Sequence, residues 1–338
     1  MSRRIEYIDI CKALAIFAMV FCHVGLRLEH SDSELSRYIH LWHMPIFFIL
    51  SGLVLNSNKW LGWSKFKQFV VSRSKSILLP YLFWGGICNI YLFIVTNYVK
   101  TDSKIMSLHD LWATSFDFTL NTISGFGWFL PAMFLTELLF VVISNCIGTQ
   151  KKIFLLYIIF AMLGMRYGEM FIMQVPLAID VLPFTLGFFA LGYLFRNQIM
   201  SFQYKNISVS ILILLFILCW YFLPFGANIR VSKYHPIYIC WFLCMILSLS
   251  IIEIIKHYEY IIVNNKLFKH ISFLGKNTLL IYLLHLEIIR ILPIKSMQIG
   301  SVAISTIVQF LLTLCILYLL SFIIKFINRY MKWSLGRF

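Results

Sequence analysis

The stretch Ile8-Asp9-Ile10-Cys11-Lys12-Ala13-Leu14-Ala15-Ile16-Phe17-Ala18-Met19-Val20-Phe21-Cys22-His23-Val24-Gly25-Leu26-Arg27-Leu28 decides how this chain is read. It is an apolar run long enough to cross a bilayer as a helix, yet it contains Asp9, Lys12 and His23. Lys12 and His23 are eleven residues apart, which falls about 20° short of rotational coincidence on a 3.6-residue helix. The two side chains therefore point the same way, roughly 16 Å apart along the axis. A lysine and a histidine on one face of a lipid-embedded helix are costly unless that face meets a polar cavity. That cavity is the candidate active site.

The rest of the chain is equally apolar. Aliphatic, aromatic and cysteine residues make up 60% of the 338 residues, charged residues 13%, and the mean hydropathy is +0.84. No soluble core could hide that much apolar surface, so the expected fold class is all-α, a polytopic membrane protein. Ten spans are read, at 8–28, 39–56, 77–98, 126–147, 153–168, 178–195, 207–224, 236–255, 272–292 and 301–327. Threaded through a membrane they put both termini on one side. Nineteen of the 29 lysines and arginines fall on that side and nine on the other, with Lys12 inside the first span. The bias makes both termini cytoplasmic and explains the net charge of +15 without nucleic acid. No linker, repeat or soluble domain is visible, so residues 1–338 are read as one membrane-embedded domain. The first apolar run is too long for a signal peptide and lacks a small-residue cleavage site, so it is expected to be retained. The eight cysteines are scattered singly through apolar spans, which suggests core residues rather than disulfides.

Three histidines fall inside spans: His23 in the first, His43 in the second and His285 in the ninth. The threading allows all three to converge at similar depth. Thr278, Tyr282 and His285, spaced by four and three, form one polar stripe. His40-x-x-His43 has a spacing that can ligate metal, but no carboxylate or thiol ligand stands beside it, so no metal is expected. Glu137, two to three turns into the fourth span, needs a partner and is counted with the three histidines as a catalytic candidate. The basic loop over 59–75 has two readings. It is either ordinary cytoplasmic charge on anionic lipid, or Arg73 and Lys75 hold the phosphates of a cytoplasmic cofactor.

Taken together these residues resemble the acyltransferase-3 family of integral membrane acyltransferases, which includes bacterial polysaccharide and sugar O-acetylases. Lys12 to His23 is similar to the family's Arg/Lys–ten residues–His signature, with lysine where arginine is usual and Ala13 where glycine is common. His43-x-Pro45-x-Phe47-Phe48-x-x-Ser51-Gly52 resembles its second helix, and Arg73 through Pro80-Tyr81 the opening of its third. Trp128-Phe129-Leu130 with Glu137, Leu186-Gly187 to Gly192-Tyr193, and Leu274 to His285 follow in family order.

The resemblance implies transfer of an acyl group, most often acetyl, from cytoplasmic acyl-CoA to a hydroxyl of a cell-envelope glycan or lipid-linked sugar. It implies a bacterial cytoplasmic membrane, and it leaves room for a homo-oligomer. A hydroxyl must lose its proton as it attacks a thioester, and neutral imidazole suits that task near pH 7. His23 is therefore the expected general base. Lys12, aided by Arg73 and Lys75, would attract the anionic donor, and His43 or His285 would donate to the thioester oxygen. An acyl-histidine intermediate is the mechanistic alternative. The rival class is a proton-coupled transporter or flippase with the histidines as a relay, although neither inverted repeats nor matched broken helices are seen. A non-catalytic export partner would not need Lys12 and His23 in register.

Overall fold

The computed structural model describes residues 5–28, 34–99, 128–170, 176–201, 205–221, 226–229, 233–292 and 302–336. Helix α1 (Glu6–Arg27) is followed by a short α2 (Glu34–His40) and by α3 (His43–Val54). α4 (Ser57–Trp60) leads to α5 (Trp63–Arg73), which runs through a π-helical turn at Ser74–Leu78 into α6 (Leu79–Ile94). Next come α7 (Phe129–Ile147), α8 (Phe154–Met170), α9 (Leu182–Leu194), α10 (Arg196–Ser201) and α11 (Lys205–Tyr221). Two short antiparallel strands, β1 (Gly226–Asn228) and β2 (Lys233–His235), pair with Gly226 opposite His235. α12 (Ile237–Val263), α13 (Phe268–Lys276), α14 (Thr278–Ile291) and α15 (Val302–Tyr330) complete the bundle, and a 3-10 turn follows at Lys332–Leu335.

Six helical stretches among the described residues are long and apolar enough to cross a membrane: Glu6–Arg27, Trp63–Tyr98, Phe129–Ile147, Leu177–Leu194, Ile237–Val263 and Ala303–Tyr330. The chain is an all-α polytopic membrane protein. α13 and α14 meet at 88° and make a seventh span if the bent pair is counted as one. The ten expected spans thus differ in kind. The second, fifth and seventh correspond to α3, α8 and α11, of 12, 17 and 17 residues. Twelve residues rise only about 18 Å, against a hydrocarbon core of about 30 Å. α3 reads as a span because it is apolar all round, but ten of its residues are buried within the protein. The residues between the third and fourth expected spans, 99–125, lie almost wholly outside the described residues.

α1 is the central helix. Of its apolar window 78% is buried inside the protein, against 33% for the last helix, whose remaining surface faces outward. α1 touches α3, α12, α13, α14 and α15. A close crossing joins α3 and α9. A Cβ on Gly192 would overlap the Ile49 carbonyl, and one on Gly52 the Phe189 carbonyl. Small residues in reciprocal positions let two backbones touch, which is how apolar helices gain packing energy without a hydrophobic drive between them.

Three contacts define one end of the bundle. The Tyr7 N–H donates to Glu259 Oε1 at 2.8 Å, tying the start of α1 to the end of α12. Gly275 of α13 lies against the Asp9 carbonyl, so closely that a side chain there would collide with it. Asn328 Nδ2, near the end of α15, donates at 2.8 Å to Asn277 Oδ1 at the α13–α14 break. The start of α1 and the end of α15 therefore share an end.

Replacing Gly192 or Gly52 by alanine should cost about 1–3 kcal/mol, because a carbonyl cannot move aside as a side chain can. Thermal unfolding of the purified protein in detergent should show a lower Tm for each variant, and an unchanged Tm would contradict the close crossing.

Candidate active site

Unbroken helical geometry over Glu6–Arg27 puts Lys12 and His23 on one face, and both side chains are half-buried. Opposite His23 stands His285 of α14, with ring centroids 5.0 Å apart and an interplanar angle of 47°. Its neighbour Tyr282 has its ring 6.2 Å from the His285 ring and accepts a hydrogen bond at Oη from the Phe129 N–H at 3.3 Å. α1, α14 and the start of α7 thus meet around the two histidines. Thr278 opens α14, so the helix starts at the break rather than at 272, and His285 lies seven residues, about 10 Å, from that start.

His285 is 1% exposed, and its Nδ1 lies 2.8 Å from the Tyr282 carbonyl oxygen and 3.0 Å from that of Ile281. A carbonyl can only accept, so Nδ1 carries the hydrogen and the Nε2 of the neutral ring is a bare lone pair. That Nε2 is buried and has no hydrogen-bond partner among the described residues. His43 is built the same way: it is 4% exposed, and its Nδ1 donates to the Ile39 carbonyl at 2.8 Å. In their neutral form neither His43 nor His285 has an N–H left for a thioester oxygen, contrary to the sequence expectation. The ring beside His43 is His40, at 5.1 Å and 80°. The histidines expected to converge as three thus form two recorded pairs, His23 with His285 and His40 with His43.

The charged residues gather nearer the Lys12 end. Glu137 is 4% exposed, and its Oε2 lies 2.7 Å from Arg73 Nε. Lys12 is the second cation whose field acts on that carboxylate. Lys12, Arg73 and Glu137, from α1, α5 and α7, form one cluster. Two cations thus act on one carboxylate. Glu137 was expected to act in catalysis and Arg73 to bind the donor, and the pairing makes Glu137 the counter-ion that fixes Arg73. Lys75 is exposed on the π-helical turn.

That turn has a local cause. Pro80 has no N–H for the carbonyl four residues back, and its ring would strike it. The helix widens at Ser74–Leu78 instead, in a form often found at functional sites. Gly336 of the C-terminal turn packs against the Lys75 carbonyl, and Trp84 Nε1 donates to Ser334 Oγ at 3.2 Å, so the end of the chain braces this segment.

Sequence reasoning passed over other buried polar groups. Gln309 of α15 is 3% exposed and donates from Nε2 to the Phe21 carbonyl at 2.7 Å, two residues before His23. Glu287 pairs with Arg290 at 2.7 Å, and Glu253 with Lys256 at 2.7 Å. Intramembrane position alone could have flagged Gln309 and Glu287. Among the described residues, no three His, Cys, Asp or Glu side chains gather as a metal site would require.

The bundle of apolar helices holds a histidine pair and, about three turns away on the same α1 face, a charged cluster, which is the polar interior of a membrane protein. A family model described as an acyltransferase domain, that of the acyltransferase-3 family, matches residues 5–334. The chain belongs to that family and is a membrane acyltransferase. No curated protein and no solved structure matches it.

If Glu137 and Arg73 compensate each other, Arg73→Met alone leaves a buried carboxylate short of a partner and should cost about 3 kcal/mol. The double change Arg73→Met with Glu137→Leu should cost less than that single one. Thermal unfolding of the four proteins of the cycle in detergent measures the coupling, and strictly additive losses would show that the pair is not coupled.

Proposed function

We propose that this acyltransferase moves an acetyl group from cytoplasmic acetyl-CoA to a hydroxyl of a cell-envelope glycan or lipid-linked sugar, with His23 as general base. The observation that carries this reading is the His23–His285 pair on the same α1 face as Lys12, next to the Arg73–Glu137 pair. The site belongs to the bacterial cytoplasmic membrane, with the Lys12 end toward the cytoplasm.

The steps follow from the groups present. The anionic donor is drawn to the cations Lys12 and Arg73, with Lys75 exposed two residues beyond Arg73. The acceptor oxygen attacks the thioester carbon, a C–O bond forms, and the C–S bond breaks. The hydroxyl proton passes to His23 and then to the departing thiolate, which leaves as free CoA. His43, on the α3 side and paired with His40, supports the polar lining and is not assigned a proton-transfer step. Lys12 lacks the forked guanidinium usual at its position, so it acts as a point charge rather than a bidentate clamp.

The test is thiol release from acetyl-CoA by the purified protein in nanodiscs, together with transfer of labelled acetyl to envelope glycan in membrane vesicles. His23→Ala should lower both by about 100-fold or more while the protein still inserts and melts cooperatively. Lys12→Ala should raise KM for acetyl-CoA, and Lys12→Arg should restore it, because charge is what Lys12 supplies. Wild-type rates in His23→Ala would remove the assignment of the base.

A further inference from the structure

A lone pair buried inside a membrane protein without a donor is expensive, and the Nε2 of His285 is one. The ring cannot turn to relieve it, because its Nδ1–H is already held by two carbonyls of its own helix, at 2.8 and 3.0 Å. The His23 ring, from another helix, lies 5.0 Å away between centroids. Ring nitrogens extend about 1 Å beyond a centroid, so this spacing places a nitrogen of each ring within hydrogen-bond reach on a small rotation of the half-exposed His23.

We propose that His285 is the positioning residue of this enzyme: its bare Nε2 accepts an N–H from His23 and so decides which nitrogen of His23 meets the acceptor hydroxyl. The inference rests on the reading of His23 as general base. When His23 takes the hydroxyl proton on one nitrogen, its other N–H is the donor to His285, which steadies the imidazolium without carrying charge itself. This is the task a carboxylate performs for histidine in hydrolase triads. A neutral imidazole does it at less desolvation cost inside a membrane. The arrangement also explains why His285 is fully buried while His23 is not. The base must reach substrate; its partner must not.

Three substitutions at position 285 distinguish this role from packing and from direct proton transfer. Glutamine places an amide oxygen near where Nε2 stood, asparagine ends too short to reach it, and leucine keeps the bulk without an acceptor. His285→Leu and His285→Asn should each lower kcat by about 100-fold, with KM for acetyl-CoA within about twofold of wild type. His285→Gln should recover at least about tenfold over leucine, at a similar Tm. If His285 took the hydroxyl proton itself, His285→Gln would be as inactive as His285→Leu, and the proposal would be overturned. Rates that follow Tm across the three would overturn it too. A dead His23→Ala with an active His285→Leu would sink this inference alone, whereas an active His23→Ala would sink the assignment of the base beneath it. Should the leucine variant not fold, nitrogen NMR of histidine-labelled wild-type protein reads the tautomer directly. Hydrogen on Nδ1 of His285 is expected, and hydrogen on Nε2 of the neutral ring would refute the proposal.

Discussion

The constraint on which the rest depends is the presence of a carboxylate, a guanidinium and an ammonium inside an apolar bundle. Glu137 at 4% exposure cannot remain charged there without a cation, and the cation comes from a helix 64 residues away in sequence. Holding Arg73 against α7 fixes where α5 ends, and so where the widened turn before Pro80 lies. The C-terminal turn then packs on that segment. Removing the charges would leave a bundle of greasy helices with many equivalent ways to pack. With them, register and orientation are specified, as polar groups do in other apolar cores.

The histidine pair obeys a gentler form of the same rule. Imidazole can be neutral, so it tolerates burial, but each ring still has a donor and an acceptor to satisfy. His285 satisfies the donor within its own helix and His43 at Ile39 of the preceding α2, each at a carbonyl four residues back. What each has left for a second partner is an acceptor nitrogen. A helix that closes the Nδ1 bond internally presents Nε2 with known polarity, whatever its neighbours do. The polarity of such a ring is thus set by local backbone geometry before any tertiary contact forms.

Much of this could be read from the chain alone, and the reasons for the rest are physical. The Lys12–His23 face was legible because it needs only the helical period. Residues separated by one element's geometry are predictable; residues separated by a fold are not, which is why the partner of Glu137 was hidden. Hydropathy could not separate α3 from a true span, since burial by protein and burial by lipid demand the same side chains. The break at Asn277 had a signal in Gly275-Lys276-Asn277-Thr278, small and capping residues inside an apolar run, yet the run was read as continuous. The convergence of His285 on His23 followed from matched depth. The pairing of His43 with His40 followed from a spacing of three that had been weighed only for metal.

The contact between α3 and α9 sets a limit on motion. Where carbonyl oxygens of one helix sit in the glycine notches of another, sliding along the axis would first require the two to part. They behave as a single keel, and no ratchet of one past the other is open to them. Any opening that admits an acyl donor and its acceptor must therefore be made by the helices that lean on that keel. The hinge available to them is the right-angled elbow between α13 and α14, latched by two asparagines.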